Sequence, residues 1–87
     1  MEAVVSIQKV FNIKEVGAIS TGTVKSGTLK IGMAMSLNGV ALLVKTMEID
    51  HQRIEEADAG QSIGFSLSES DYEAVKSIAG TDVTFSG

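Results

Sequence analysis

The sequence predicts an all-β fold, a small antiparallel barrel or sandwich, in a single domain over residues 1–87. Three observations predict it. Apolar and polar residues alternate with period two in several short runs, most cleanly in Ile63, Phe65 and Leu67 against Gly64, Ser66 and Ser68. Turn signals separate such runs about every ten residues. The chain also has no proline to guard exposed strand edges, a problem that closure of the sheet removes.

The elements follow in order. Val5 and Ile7 alternate with Ser6 and Gln8, and Val10, Phe11 and Ile13 continue the run; this β-branched and aromatic density favours an extended first strand. Ile19 to Lys25, with Thr21, Thr23 and Val24, predicts a second strand. Met33, Met35 and Leu37 alternate with Ala34 and Ser36 in a half-buried third. Asn38-Gly39 follows at once, and both residue types tolerate the positive φ of a two-residue hairpin turn, so Val40 to Ile49 reads as the return strand. Asp50 to Gly60 is polar and acidic, and predicts a loop with one helical turn through Ile54 and Ala57. Ile63 to Leu67 is a further strand. Ser70-Asp71-Tyr72-Glu73 matches a capping box, which predicts a short helical turn over 71–78. Asp82 to Phe85 reads as the closing strand.

Composition narrows the function. Zero Cys excludes thiolate metal sites and disulfides, and a single His cannot build a His-pair relay. Zero Trp and one Tyr argue against a broad base-stacking platform. The longest apolar run, Val40 to Val44, is far too short to span a bilayer. MEAVVSIQ has neither the basic nor the apolar region of a signal peptide, so the expected compartment is the cytoplasm, with no membrane partner. Net charge is −4 but unevenly spread. Residues 1–45 carry five Lys against two acids, a balance of +3, while residues 46–87 carry Arg53 and Lys76 against nine acids, a balance of −7. The distribution fits either a solvated surface with two differently charged sides or a basic face that meets phosphate.

Gly17, Gly22, Gly27 and Gly32 recur every five residues, half of a phosphate-binding loop. The other half is missing, because Thr23, Thr28 and Met33 stand where the phosphate-reaching lysine is required. Turns, bulges and close backbone approach account for glycines at this spacing. No nucleophile elbow or zinc-protease motif occurs, and His51 reads as a surface or hairpin-end residue. Glu55, Glu56 and Asp58 lack the order of a calcium loop and read as a solvated segment. The methionines read as core filler. No enzyme, metal or cofactor is expected.

Read in order, Val10–Met33 (VFNIKEVGAISTGTVKSGTLKIGM) and Val44–Leu67 (VKTMEIDHQRIEEADAGQSIGFSL) resemble domain II of translational GTPases, the barrel shared by elongation factor Tu, initiation factor two and the selenocysteine-specific elongation factor. The resemblance spans roughly residues 4–85. It rests on Val10-Phe11, Gly17, Gly22, Gly27, Leu29-Lys30, Gly32, Val44-Lys45, Ala57-x-Ala59-Gly60 and Ile63-Gly64. Glu15, Ala18 and Gln61 depart from the usual Gly, Thr and Asp.

The resemblance implies a closed antiparallel Greek-key barrel of about six strands. It implies a non-catalytic module that meets the tRNA acceptor end, ribosomal RNA, or a GTPase or other translation-factor domain, with weak RNA binding on its own. In elongation factor Tu this domain holds the 3′ adenosine of aminoacyl-tRNA against the GTPase domain. The matching positions of the adenosine pocket are Ile13, Ile19 and Glu48, with Lys14 and Lys25 as phosphate candidates. Apolar flanks for a planar base, with a carboxylate accepting from a hydroxyl or amine, suit that ligand. Residue type alone also fits Ile13 and Ile19 to plain barrel core, and Glu48 to a water-facing strand end. Ser62, Ser66 and Asp50 replace an amide, a Leu and a His of the family's site. The alternative is a standalone protein–protein adaptor barrel that has lost RNA binding.

Overall fold

The computed structural model describes residues 1–14, 17–68 and 72–87. The capping-box residues Ser70 and Asp71, and the turn at Glu15, lie outside the described residues. Nine strands are assigned among the described residues. They are β1 (Glu2–Ile13), β2 (Gly17–Ser26), β3 (Thr28–Lys30), β4 (Ala34–Leu37), β5 (Val40–Ile49), β6 (Gln52–Arg53), β7 (Glu56–Asp58), β8 (Ser62–Leu67) and β9 (Asp82–Ser86). A short helix, α1 (Tyr72–Val75), and a single 3-10 turn (Lys76–Ile78) precede β9.

Six strands close a ring. β4, β9, β1, β2, β8 and β5 are neighbours in that order, and β4 pairs back onto β5, all antiparallel. This is the closed six-stranded antiparallel barrel that the resemblance implies, and it decides between the barrel and the sandwich that the strand pattern allows. β6 is an extra strand on the β5 edge, and β3 with β7 makes a separate two-stranded ribbon. Closure between β4 and β9 rests on one register pair, Ala34 with Ser86.

The Asn38-Gly39 hairpin joins β4 to β5 with φ of 51° and 83°, the left-handed geometry expected from those residue types. The stretch Asp50–Gly60 departs from expectation: it forms β6 and β7 rather than a helical turn. Backbone partners decide this. Ile54 N donates to Met47 O at 3.0 Å and Ile31 N to Glu55 O at 3.1 Å, while Ala57 is buried opposite Leu29. The polar side chains can stay in water while the backbone is satisfied by neighbouring strands.

The barrel is filled by alternate residues of each strand, including Ala3, Val5 and Ile7, then Val24, Leu42, Val44, Met47, Ile63, Phe65, Val83 and Phe85. The Phe65 and Phe85 rings meet edge to face, 5.8 Å apart at 84°. Met33, Met35 and Met47 are buried, as expected of core filler; Met1 is exposed. α1 lies against β1 and β2, with Val75 and Ile78 buried. On its surface Glu73 accepts a hydrogen bond from Lys76 Nζ at 2.6 Å, which raises the lysine pKa.

Two β-bulges change which residues face inward. On β1 the register against β2 shifts between Ile7 and Lys9, leaving Gln8 as the extra residue. Ala3, Val5 and Ile7 point inward, but after the bulge Val10 packs toward the core while Phe11 and Ile13 face outward. On β5 the register against β8 shifts between Val44 and Thr46, leaving Lys45 extra. Leu42 and Val44 are inside, then Met47; Thr46 and Glu48 are displaced to the outer face. Side chains alternate with period two, so one inserted residue reverses every position that follows.

Gly22 lies opposite Ile7, beside the first bulge. A Cβ built on it would stand 2.5 Å from the Ser6 carbonyl oxygen, so it is a close-approach glycine. Gly27 combines φ of 73° with a still closer approach to the Glu2 carbonyl oxygen.

Candidate functional site

The bulges bring an outward-facing group of residues together at one end of the barrel. Ile13 sits at the end of β1 and Ile19 on the outward phase of β2. Glu48 follows the β5 bulge and is paired on one side with Gly64 of β8 and on the other with Arg53 of β6. These residues, with Thr46, Met47 and Phe65, line a cavity of about 320 Å³. The volume lies within the range of small-ligand sites.

Its walls differ in chemistry. Ile13 and Ile19 form an apolar side, and Phe11, in register with Ile19, extends that face outside the cavity. Ile13 and Phe11 are each 43% exposed and Ile19 is half-buried, so neither isoleucine is barrel core. Opposite them stand a carboxylate and a guanidinium, Glu48 and Arg53. Gly64 gives up wall volume to the Glu48 side chain, whose Cγ lies 3.6 Å from where a Cβ on Gly64 would be. Thr46 Oγ1 and Ser66 Oγ share a hydrogen bond at 2.5 Å, which satisfies both hydroxyls.

A second depression of about 340 Å³ shares Glu48 and Gly64 with the first and is bordered by Gln8, Thr21, Asp50 and His51. Asp50 and His51 form the β5–β6 hairpin tip, with φ of 51° and 65°. His51 is therefore a hairpin-end residue, as expected. Two successive non-glycine residues in the left-handed region carry backbone strain, a feature that clusters at binding sites. Ser62, also at this border, has its hydroxyl 3.2 Å from Thr23 Oγ1.

The structure thus brings Ile13, Ile19 and Glu48 into one cavity. It does not bring the two lysine candidates there. Lys14 is exposed in the turn after β1 and does not line the cavity. Lys25, at the other end of β2, forms an ion pair with Asp82 Oδ2 at 3.3 Å. Sequence reasoning missed Arg53, Thr46 and Gly64. The signal for Arg53 was present: it is the sole arginine, set among acids. No group of three or more His, Cys, Asp or Glu among the described residues could hold a metal ion. No helix among them is long and apolar enough to cross a membrane.

Comparison with known proteins extends this picture. No family model matches the chain. Elongation factor 1-alpha of Desulfurococcus mucosus is 38% identical over 65 residues, covering 72% of this chain and 15% of that protein. Elongation factor 1-alpha of Metallosphaera sedula is 35% identical over 72 residues, covering 80% of this chain and 17% of that protein. The chain therefore spans less than a fifth of the length of these curated relatives. In structure, the apo form of translation elongation factor SelB from Methanococcus maripaludis superposes with a TM-score of 0.75 at 22% identity, over 97% of this chain and 18% of that one. At that identity the likeness is one of fold.

Proposed function

We propose that this chain, a barrel of the translational-GTPase domain II kind, is a non-catalytic binding module whose cavity takes the terminal adenosine of a tRNA acceptor end. One observation carries the reading: the positions nominated by sequence resemblance, Ile13 and Ile19 on one hairpin and Glu48 about thirty residues on, line one cavity of about 320 Å³. Ile13 and Ile19 offer apolar surface to the face of a base. Glu48 accepts a hydrogen bond from a ribose hydroxyl or base amine. A GTPase domain is the partner that covers the open side of the cavity, with ribosomal RNA as a further contact. The cytoplasm is the compartment this role requires.

With one wall of the cleft and a net charge of −4, the barrel alone binds weakly, at about 10⁻⁴ M or worse. Amide chemical-shift mapping with a CCA trinucleotide at low salt tests this. Shifts clustered at residues 13, 19 and 48, reduced in Glu48→Ala, support the reading. Shifts that vanish with salt yet survive Glu48→Ala indicate diffuse attraction to lysines. No shift at millimolar trinucleotide leaves the second reading, a protein–protein adaptor, in its place. The observation favouring that second reading is Phe11, exposed beside Ile13 on the outer face.

A further inference from the structure

We propose that Arg53 and Lys45 form a phosphate subsite adjoining the Ile13–Ile19–Glu48 cavity, so that the preferred ligand is a nucleotide with a 5′-phosphate rather than a bare nucleoside. The inference rests on the nucleoside reading of that cavity and adds its phosphate contact. A depression of about 290 Å³ shares Thr46, Met47 and Arg53 with the cavity and continues past them to Lys45 and Glu55. Arg53 is thus the charged residue on the border between the two spaces.

Lys45 is the extra residue of the β5 bulge, a device that re-aims a side chain. Both cations are exposed, and neither has an ion-pair partner among the described residues, where the ion pairs are Lys25 with Asp82 and Lys76 with Glu73. Glu48 stands directly across from Arg53 in the β5–β6 register without closing a salt bridge to it. A carboxylate and a guanidinium left apart in this way can divide a ligand between them. Glu48 accepts from hydroxyl or amine and repels phosphate. Arg53 presents a planar fork suited to phosphate oxygens.

Charge then limits the subsite to one phosphate. Lys45 and Arg53 against Glu55 leave a balance of +1 within the depression, and Glu48 across from Arg53 brings the whole site to neutrality, in a chain of −4. The next depression, reached past Ile31 and Glu55, sets Lys30 against Glu55 and Glu56, a balance of −1. A polynucleotide strand is held at its last phosphate and turned away from that acidic edge. Lys14 and Lys25 line neither the cavity nor its extension.

The test uses the full chain at low salt, titrated with adenosine and with adenosine 5′-monophosphate and followed by amide shifts. The readout is the affinity ratio of the two ligands, measured for the chain, Arg53→Gln, and Arg53→Gln with Lys45→Gln. The monophosphate should bind about three- to tenfold tighter, as expected for charge-assisted contacts at a partly exposed site. That ratio should fall below about twofold in the double variant. Adenosine binding with no phosphate advantage, or an advantage intact in the double variant, overturns the subsite alone. A monophosphate advantage whose shifts centre on Lys14 or Lys25 also overturns it. Failure of adenosine itself to shift residues 13, 19 and 48 overturns the nucleoside reading, and the subsite with it. Both side chains are exposed, so the variants should keep the dispersed spectrum of the folded barrel.

Discussion

Replacing Gly22 by alanine adds one carbon, and the structure says where it goes. The new Cβ would lie 2.5 Å from the Ser6 carbonyl oxygen, 3.1 Å from Val5 Cγ1 and 3.2 Å from Ile7 Cα. A carbon and a carbonyl oxygen settle at about 3.3 Å or more, so β1 and β2 must separate locally by about 0.8 Å. Neither strand is free to yield, because β1 is also bonded to β9 and β2 to β8. Strain of this kind costs about 1–3 kcal/mol. The opposing term has the other sign: removing a glycine from a strand interior gains about 0.5–1 kcal/mol if nothing clashes. We expect the clash to win, with a net loss of about 1 kcal/mol for Gly22→Ala and about 2–3 kcal/mol for the bulkier Gly22→Val. For a domain of this size each kcal/mol lowers Tm by about 4–8 °C, so alanine should cost about 4–8 °C. A thermal melt followed by circular dichroism reads this directly. A folded Gly22→Ala variant with unchanged or raised Tm would refute the close-approach argument.

Gly64 is the natural contrast. Its nearest neighbour for a Cβ is Glu48 Cγ at 3.6 Å, an ordinary contact, so Gly64→Ala should hold Tm within about 4 °C while narrowing the cavity and weakening CCA binding in the shift titration. The β5–β6 hairpin tip should accept Asp50→Asn with His51→Gly, which removes left-handed strain at non-glycine residues and raises stability by about 1–2 kcal/mol in urea denaturation. Calorimetry should detect no GTP binding and phosphate release no hydrolysis, because every Gly-x-x-x-x-Gly in the chain lacks its lysine.

Most of the barrel was legible because period-two alternation is a local signal. Ile63 to Leu67 and the Asn38-Gly39 hairpin were readable from adjacent residues alone. β6 and β7 were not, since Gln52-Arg53 and Glu56–Asp58 carry no apolar alternation and are strands through their backbone partners. The bulges explain the larger gap. In an unbroken β1, Ile13 keeps step with Val5 and Ile7 and reads as core; in an unbroken β5, Glu48 shares a face with Val44. One extra residue in each strand, Gln8 and Lys45, moves Ile13 and Glu48 to the outside. Nothing in the identities of Gln8 or Lys45 announces a bulge. The site positions were reachable through resemblance, whereas Arg53 acquired meaning once β6 folded back beside Glu48.

The first and last strands bring residues 1 and 87 together. Glu2 pairs with Ser86, and Gly87 N donates to Met1 O at 3.2 Å. A chain that enters and leaves at one point can hang from a larger protein like a pendant, spliced between two segments without spreading them apart. The same arrangement sets its mechanical character. Tension applied through both ends draws β1 and β9 apart from their shared tip, breaking cross-strand bonds one after another rather than shearing them all at once. The zip begins next to Ala34 and Ser86, the single pair that seals the ring. Such a module is stiff against ligands pressing on its wall, and yields first at its own seam when pulled.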